Sequence, residues 1–419
     1  MPQLLQSDWT AVLKEVLLPY VRDNFPKQTI LLDQLKRNAG VTTFNDEFIA
    51  PIYTSRHGGV ANLANDGNSI ISSGGRNTSR ATVSVETVTG ALNISKLAVS
   101  SSSSNTLAVE NALVAQTKTL AQDFARQVNR QLYGDASGVV TMVRASGGSV
   151  GVGTIAVEAI SASVDDGRAV DYYGTINGDI SPTKYVAVDA IIGVGTAGAA
   201  VGTVTGVTGT SILTSAAIVT AANDSIYLLD GSGQGAGTSE LLGIRAALSS
   251  STGTSTYAGL SRDTVGWTPQ FGSASEALSL TRMEGQFLSS REYAGMTDKY
   301  IFLVNKTLYQ KYGDVLTSMR RTVNSSDLLG GWTGLEFAAG AGKVAVYLDY
   351  DVPDGEIILI DMETWTLCQV SDIDWMEDPG GGGLLRLQNT IQWQAVMHWF
   401  VNVLCLAPAA NSKQTRKTS

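Results

Sequence analysis

The stretch from residue 46 to residue 100 constrains the fold more than any other part of this sequence. Its two ends, "EFIAPIYTSR" and "ATVSVETVTGALNIS", are predicted strands, and apolar residues of the second recur at period two. The intervening "HGGVANLANDGNSIISSGGRNT" is polar and glycine-rich, with no clear apolar face. A two-stranded ribbon of this kind is barely stable alone and exposes hydrogen-bonding edges. The sequence therefore predicts a long hairpin that is completed by a neighbouring subunit.

A long amphipathic helix is predicted from about Thr106 to Tyr133, after the polar joint "SSSSNT". At 1.5 Å per residue it spans roughly 40 Å. Gly134 fits the left-handed position that ends many helices. The predicted apolar stripe consists of Leu113, Thr117, Leu120, Phe124, Val128 and Leu132, with Ala121 and Ala125 beside it. The predicted polar face consists of Gln116, Lys118, Gln122, Asp123, Arg126, Asn129 and Arg130.

Two shorter helices are predicted near the N-terminus. The first, from Ser7 to Leu18, places Trp9 and Leu13 on one apolar face, and the second, "TILLDQLKRN", follows Pro26. Neither helix is large enough to bury this face against the other. We therefore expect both to dock on the body of the protein or on a neighbouring subunit.

The remainder of the chain is mostly β, with a helical section late in the sequence. From Val139 to about Trp267 short strand candidates alternate with turn signals such as "DDG" and "GSGQG", which favours a small barrel or sandwich. Helical period returns in "SEALSLTRMEGQFLSSREYAG", with Leu278, Met283, Phe287 and Leu288 apolar. "DKYIFLVN" is a predicted buried strand and "KTLYQKYGDVLTSMRR" a helix before a β-rich end. This mixture predicts an α+β architecture.

Composition excludes several functional classes. The net charge of −9 gives no global attraction to nucleic acid. Cys368 and Cys405 lie in apolar runs, which favours buried thiols over a disulfide framework or a metal site. No basic region followed by an apolar stretch opens the sequence, and no window has the apolar length of a membrane span. We therefore expect a soluble protein made in a reducing compartment.

The segment "AAGAGKV" superficially matches a phosphate-binding loop. Such a loop needs a glycine five residues before the Gly-Lys pair and a Ser or Thr after the lysine. Phe337 and Val344 occupy these two positions, and a strand follows instead of a helix. The segment is predicted to be a simple glycine turn.

Histidines and carboxylates also give no strong catalytic pattern. His57 lies in the hairpin, where a catalytic base would be poorly held, and His398 is predicted on a strand face opposite to Cys405, as a hydrogen-bonded structural residue. The carboxylates Asp349 and Asp351 are interpreted as solvated residues of a turn. A weak calcium hypothesis attaches to Asp372, Asp374, Glu377 and Asp378. We predict no enzyme activity, no cofactor and no metal.

The order of these segments resembles the major capsid proteins of tailed bacteriophages, with the Hong Kong 97-type fold. The similar motifs are "PIYTSRHGGVAN" in the hairpin, "DFARQVNRQLYGD" closing the helix, "LLGIRAALSSSTGTSTYAGLSRDTVGWTP", and "LEFAAGAGKVAVYLDYDVPDGEIILID". The resemblance covers essentially the whole chain in order.

The resemblance implies a division of the chain into seven parts. These are an N-terminal arm (1–45), an extended hairpin loop (46–100), the spine helix of a peripheral domain (101–138), a β-rich segment interpreted as an inserted subdomain (139–265), an axial domain (266–345), a peripheral-domain β layer (346–410) and a flexible tail (411–419).

The resemblance also implies a function and partners. Copies would form hexamers and pentamers of an icosahedral virion shell, assembled in the host bacterial cytoplasm around double-stranded DNA that is bound without sequence specificity. A portal and decoration proteins are implied as partners. The chain has no long N-terminal helical extension, so we expect a separate scaffolding protein or an extension that is lost by processing. The predicted inter-subunit contacts are Trp9, Leu13, Arg56, His57, Asn62, Arg76, Arg80, Arg126 and Arg130.

One family feature is not expected. Some members join a lysine of the extended loop to an asparagine of a neighbouring subunit. This sequence has no lysine between Lys36 and Lys96, so we predict no such covalent bond.

Two other functions remain as alternatives. An encapsulin-like nanocompartment shell would share the fold but enclose enzyme cargo instead of DNA. A secreted β-rich hydrolase belongs to a different class, and the scarcity of histidine argues against it.

Overall fold

The computed structural model describes residues 18–19, 30–37, 42–44, 46–55, 57–60, 62, 74–95, 106–136, 138–143, 154–156, 191–195, 200–208, 211–215, 218, 224–229, 240–249, 256–264, 266–272, 274, 276–294, 299–318, 325–327, 333–339, 342–353, 355–377, 385–386, 392–415 and 417–418. Nearly all of the predicted first helix and the far end of the predicted hairpin lie outside these residues.

The described elements are mixed α and β, as the sequence predicts. The helices with described bounds are α1 (Ile30–Gln34), α2 (Thr106–Leu132), α3 (Ile244–Ala247), α4 (Leu280–Arg291) and α5 (Lys306–Ser318), and Pro408–Ala410 forms a 3₁₀ turn. The strands are β1 (Lys36–Arg37), β2 (Thr42–Phe44), β3 (Glu47–Tyr53), β4 (Thr78–Ser84), β5 (Glu86–Ser95), β6 (Val139–Met142), β7 (Thr154–Ala156), β8 (Ile191–Val194), β9 (Ala200–Thr208), β10 (Ser211–Thr214), β11 (Ser225–Leu229), β12 (Thr256–Tyr257), β13 (Leu260–Ser261), β14 (Gln270–Gly272), β15 (Glu276–Ala277), β16 (Tyr300–Val304), β17 (Ser325–Asp327), β18 (Thr333–Ala339), β19 (Gly342–Leu348), β20 (Ile357–Asp361), β21 (Trp365–Gln369), β22 (Asp374–Trp375), β23 (Leu385–Arg386), β24 (Gln392–Cys405), β25 (Ser412–Gln414) and β26 (Lys417–Thr418).

The long helix α2 is confirmed, with one correction at its C-terminal end. Its predicted stripe is buried at Thr117, Phe124 and Val128, because these residues recur on the face that packs against the core. Asn129 and Arg130, predicted on the polar face, are buried, since the last turn enters the body and is covered on all sides.

Gly134 also differs from its predicted role. It does not adopt a left-handed conformation, and the positive φ angles nearby belong to Ala136 (67°) and Gly138 (71°). Gly134 is needed for space instead, because a Cβ atom there would lie 3.0 Å from the Gln131 carbonyl oxygen. Gly243, which packs against this helix end, has even less space, because a Cβ atom there would lie 2.5 Å from the carbonyl oxygens of Gln131 and Leu132.

A six-stranded sheet is organised around β24. Strand β5 pairs with β24 in antiparallel register from Glu86↔Val401 to Ser95↔Gln392, and the opposite edge of β24 pairs with β21, β22 and β23. Helix α2 crosses β5 at Gly90, where an added Cβ would lie 3.2 Å from Leu120 and from Phe124. The glycine therefore allows the helix to approach the sheet closely.

The predicted second strand of the hairpin is in fact two strands in two sheets. Strand β4 pairs with β3 in the hairpin, whereas β5 pairs with β24 in the six-stranded sheet. The chain changes sheet at Val85, whose N–H donates to the Asp46 carbonyl at 2.8 Å. Period-two alternation continues across this bend, so the sequence pattern alone does not reveal it.

A seven-stranded sheet has the order β14-β25-β20-β16-β19-β18-β17. Its central strand β16 is buried throughout, as predicted. One face, which includes Phe302 and Leu359, packs on α4 and α5, and the other, which includes Leu303 and Ile358, faces the main core. The predicted boundary between residues 345 and 346 is therefore wrong, because it cuts β19 and separates β20 from the sheet to which it belongs.

The described part of the β-rich segment forms a six-stranded sheet in the order β6-β11-β8-β9-β10-β7. The small barrel or sandwich stays a prediction, because residues 144–153 and 157–190 of this segment lie outside the described residues. The sheet has an apolar cluster of its own, comprising Val143, Ile155, Ile192, Val194, Val204, Ile212, Ile218 and Ile226. The predicted end of this segment at residue 265 is too late. Leu241, Ile244 and Tyr257 are buried in the main core, so the chain has returned to the body by residue 241.

The later helices are confirmed with one exception. Helix α4 begins after Ser279, whose hydroxyl accepts from the Arg282 N–H at 3.4 Å, and it buries Met283 and Phe287. Leu288, the fourth apolar residue of the predicted helical period, is 48% exposed. The "AAGAGKV" segment joins the paired strands β18 and β19, with Ala339 opposite Gly342, and the two residues of the predicted glycine turn between them lie outside the described residues.

The two cysteines are buried free thiols, as predicted. Burial raises the pKa of Cys368 and of Cys405 to about 12. Helices in the described part of the chain are too short or too polar to cross a membrane.

The predicted flexible tail from residue 411 is wrong. Strand β25 lies between β14 and β20, and β26 pairs with β15. Asn411 fixes the tail, since its buried side chain accepts from the Asp361 N–H at 2.8 Å and from the Trp365 indole N–H at 2.9 Å. Its amide nitrogen donates to Thr364 Oγ1 and to the Ala407 carbonyl, each at 2.9 Å.

Replacement of Asn411 by alanine tests this fixation. Asn411→Ala leaves two buried donors without acceptors, and each loss costs about 1–3 kcal/mol, so we expect the free energy of unfolding to fall by about 3–5 kcal/mol. Denaturant titration measures the change, with the exposed Gln310→Ala as a control that stays near the wild type. A loss below about 1 kcal/mol would show that the tail is not fixed by this side chain.

Candidate self-association surface

The hairpin formed by β3 and β4 is anchored only at its base. Phe48, Ala50, Ala81 and Val83 are buried there and belong to the main core. The Thr82 N–H also donates to the Ala258 carbonyl at 2.9 Å, which ties the edge of the base to the body. The position of the hairpin is thus set by apolar residues at its origin.

Beyond this base the two strands continue with little to cover them. Antiparallel pairing runs from Glu47↔Ser84 to Tyr53↔Thr78, a distance of about 20 Å at 3.4 Å per residue. The Thr54 N–H then donates to the Asn77 carbonyl at 3.0 Å. Strand β2 covers the free edge of β3 only as far as Ile49, so the outer ribbon is two-stranded within the described residues. Such a ribbon is marginally stable in isolation.

Glycines bring the two backbones together farther out. A Cβ on Gly74 would lie 2.6 Å from the Gly58 carbonyl carbon and from the Gly59 nitrogen. The two backbones can approach this closely because glycine has no side chain.

The outer ribbon exposes large apolar side chains. Tyr53 is 63% exposed and Val60 is 61% exposed. The Arg76 guanidinium lies 5.0 Å from the centre of the Tyr53 ring, an arrangement that orients both side chains. Tyrosine and arginine are enriched in the energetically important parts of protein interfaces. The ribbon has the features of a contact surface.

Several of the predicted contact residues lie on this surface. His57, Asn62, Arg76 and Arg80 are exposed, and His57 Nδ1 accepts from the Gly59 N–H at 3.1 Å. Trp9, Leu13 and Arg56 lie outside the described residues. Contact with a second chain stays a prediction for all of them.

The two helix arginines differ from each other. Arg126 is exposed, with Nη1 3.8 Å from Asp123 Oδ1 one turn earlier. Arg130 is 0% exposed and is bound to Glu240, so the prediction that it contacts another subunit is wrong. Buried arginines require such a partner, because an unpaired buried charge is costly.

The end of α2 is held by a second set of polar contacts. Asn129 Nδ2 donates to Asp351 Oδ2, and the Tyr133 hydroxyl donates to Asp349 Oδ2 at 2.8 Å. The Asp351 N–H donates to Asp349 Oδ1 at 2.9 Å. Both aspartates follow β19, so these contacts connect the helix end to the seven-stranded sheet. The earlier interpretation of this pair as solvated turn residues is wrong for Asp349, which is buried.

The environment of Asp349 favours its protonated form. Burial is the main cause, with a smaller contribution from the nearby Asp351 carboxylate, and together they raise the pKa of Asp349 to about 6.

Asn402 connects the hairpin base to the segment before α3, and a buried charged group connects α3 to β25. Asn402 Nδ2 donates to the Ser84 carbonyl and Oδ1 accepts from the Leu242 N–H, each at 2.8 Å. Glu356 Oε1 lies 3.3 Å from Arg245 Nη2 and 3.8 Å from Lys413 Nζ. Sequence analysis identified none of these residues as functional, because their partners are far away in the chain.

A cavity of about 670 Å³ opens beside the hairpin base, and Ser84, Asp135, Arg245, Tyr257 and Lys413 are among its lining residues. The described residues contain no group of three or more His, Cys, Asp or Glu side chains that could hold a metal ion. Asp378, part of the calcium hypothesis, lies outside the described residues.

His398 differs from its predicted role. Its Nδ1 atom makes no hydrogen bond in the described part of the chain, and the ring instead packs edge-on against Phe400 with centroids 5.1 Å apart.

The geometry is therefore that of an α+β body from which an uncovered, apolar and cationic ribbon extends. The sequence matches no protein-family model and no curated protein. Among solved structures, the chain is similar to the capsid subunit of cyanophage A-1(L), with 11% identity and a TM-score of 0.47 over 92% of this chain and 91% of that chain. It is similar to the capsid of a native GTA particle, with 11% identity and a TM-score of 0.44 over 92% and 90% of the two chains.

A shorter match is to the SrpI encapsulin of Synechococcus elongatus PCC 7942, with 12% identity and a TM-score of 0.28 over 35% of this chain and 53% of that chain. The first two structures are described as capsids and the third as an encapsulin complex. Because these TM-scores are below 0.5, the function proposed below rests on the geometry of the chain itself.

The aspartate pair at the helix end predicts an unusual pH dependence of stability. The pKa of Asp349 is about 6 in the folded chain and 3.8 in a free side chain, so the folded state binds the proton more tightly. Protonated Asp349 therefore stabilises the folded state. This stabilisation is complete below pH 3.8 and is lost as the pH rises through 6. We expect this group to lower the free energy of unfolding by about 1.4 kcal/mol between pH 5 and pH 7.

The measurement compares denaturant unfolding of the wild type and of Asp349→Asn at both pH values. The variant cannot titrate, so its change with pH differs from that of the wild type by this amount. Asp314→Asn, at an exposed position on α5, serves as the matched control and keeps the wild-type slope. Identical slopes for the wild type and Asp349→Asn would contradict the prediction.

Proposed function

We propose that this chain is the major capsid protein of a tailed double-stranded DNA bacteriophage, a subunit of a closed protein shell. The observation that supports this most directly is the hairpin, which is anchored at Phe48 and Val83 and whose described outer side chains Tyr53 and Val60 are exposed. A second copy that lies against the ribbon would cover its apolar side chains and its free edges. Symmetric closure then gives every copy the same contact, and no edge is left open.

The division of the chain suits this role. The body has an extensive core and folds around α2, so it can hold its shape while the ribbon changes partners during assembly. Obligate subunit contacts commonly bury about 2,000 Å² or more in total. The outer ribbon, which begins at Tyr53, supplies part of such a contact without needing a core of its own.

We further propose hexamers and pentamers as the intermediate assemblies and packaged DNA as the content. The net charge of −9 supports content that is enclosed without tight binding, since phosphate contacts by lysine and arginine dominate DNA affinity. Scaffolding, portal and decoration proteins would be separate chains, and assembly would take place in the host cytoplasm.

Electron microscopy of the purified full-length chain tests this function. We expect rings, tubes or closed shells. A variant with residues 53–78 replaced by Asn-Gly keeps the hairpin base up to the pair Ile52↔Ser79 but removes Tyr53, Val60 and Arg76 of the outer ribbon, and we expect it to stay monomeric with an unchanged thermal transition. A wild-type chain that stays monomeric at high concentration would refute the proposal.

The molecules enclosed in the particles distinguish a phage capsid from an encapsulin-like shell. Nuclease-resistant DNA in particles from infected cells supports a phage capsid. Particles that hold a protein cargo and no nucleic acid would support the encapsulin-like alternative instead.

The particles are expected to contain no covalent bonds between subunits. The hairpin has no lysine that could form an isopeptide bond, so denaturing electrophoresis of mature particles should give one band at 44.1 kDa. The hairpin lies within residues 37–95. The substitution Asn62→Lys is a control that places one lysine on the exposed ribbon. A ladder of multiples in the wild type would show that another pair of side chains reacts.

A further inference from the structure

Charge is distributed unevenly between the hairpin and the late part of the chain. Residues 51–80 contain three arginines and one aspartate, although the whole chain has a net charge of −9. Residues 344–385 contain ten carboxylates and no lysine or arginine. A cationic segment and an anionic segment of this size attract each other when they belong to different copies.

The cations of the hairpin are not neutralised within their own chain. Arg76 and Arg80 are exposed, and neither forms an ion pair in the described part of the chain. The Arg76 side chain is held over Tyr53, which keeps its charge at the surface of the ribbon. The hairpin therefore presents positive charge to whatever it meets.

The anionic segment has one prominent exposed part, the loop from Val370 to Glu377. Asp372 and Glu377 are exposed, and Val370 and Met376 beside them are 54% and 49% exposed. The loop is attached to β24, since the Val370 N–H donates to the Phe400 carbonyl at 3.1 Å and the Met376 N–H donates to the Val396 carbonyl at 2.7 Å. It is a fixed surface that combines negative charge with apolar area.

We propose that the outer hairpin of one copy docks on the loop 370–377 of a second copy. Arg76 and Arg80 would face Asp372 and Glu377, while Tyr53 and Val60 would cover Val370 and Met376. Both surfaces pair apolar area with charge, and the charges are opposite. Arginine, tyrosine and methionine are also the residue types that interface centres favour. This inference rests on the proposed function, because it names the partner surface within the shell.

The same copy does not satisfy this pairing. The hairpin base at Glu86 and the loop lie on opposite sides of β24, about 10 Å apart at the usual strand spacing. Arg76 and Arg80, farther out, nevertheless have no carboxylate partner among the described residues. We therefore assign the complementary surface to another subunit.

The test uses two charge-reversed variants of the full-length chain, alone and mixed. We expect Arg76→Glu with Arg80→Glu, and separately Asp372→Arg with Glu377→Arg, to lower the particle yield at least about tenfold by placing like charges opposite each other. When the two variants are mixed, half of the possible contacts regain opposite charges, and a chain that carries all four changes regains them all. We expect that chain to recover at least half of the wild-type yield, as measured by sedimentation and microscopy.

Lys118→Glu with Lys299→Glu is the matched control, since both lysines are exposed and the change in net charge is the same. We expect it to assemble like the wild type. Thermal transitions of all variants in the unassembled state should coincide, because the altered side chains contribute little to the core. Salt at about 0.5 M should slow wild-type assembly several-fold by screening the attraction.

The outcomes separate this inference from the proposed function. A wild type that forms no particles overturns both. A wild type that assembles while Arg76→Glu with Arg80→Glu assembles equally well overturns only the docking inference. A fourfold variant that stays unassembled shows that the arginines meet a different surface, which overturns the assignment of the loop 370–377.

Discussion

The structure depends on the burial of the last turn of α2. This turn enters the body with Asn129, Arg130 and Tyr133 covered on every side, so each polar group needs a partner from elsewhere in the chain. Asp351 and Asp349 provide it from the seven-stranded sheet, and Glu240 provides it from the segment that follows the β-rich sheet. Three distant parts of the sequence are fixed relative to one another at a single point. The helix can then serve as the rigid axis of the body.

This rigid axis explains how the chain tolerates an extended hairpin. The hairpin base is tied to the same body through Asn402, which bonds to Ser84 and Leu242, and through the Val85 bend between two sheets. Among the described residues, the core clusters contain no side chain of the outgoing strand beyond Ile52, so the described core is built without the outer ribbon. Stability and association are thus assigned to different parts of the sequence.

The sequence predicted the elements whose patterns are local. The 3.6-residue period located α2 within one residue of each end, and the continuous apolar run located β16. It failed where a distant partner decides the outcome. Asn129 and Arg130 appeared to be solvent-facing because their period matches the polar face, and only the covering segments reveal otherwise. The polar C-terminal residues from Asn411 onward had no apolar alternation, yet hydrogen bonds to Asp361 and Trp365 hold them in a sheet. Of the candidate surface, the hairpin was predictable, whereas Asn402, which fixes its base through the Ser84 carbonyl, was not.

The helix end also shows where this chain can change in length. The Arg245 N–H donates to the Gly134 carbonyl at 3.1 Å, so the chain leaves the body and returns to almost the same point. The intervening sheet has its own apolar cluster and is a separable excursion from that point. Closing a longer excursion adds only a logarithmic entropy term, about 0.6 kcal/mol for each doubling of its length. The excursion is consequently a natural position for grafting foreign peptides, because a graft there would leave the body and its ribbon untouched.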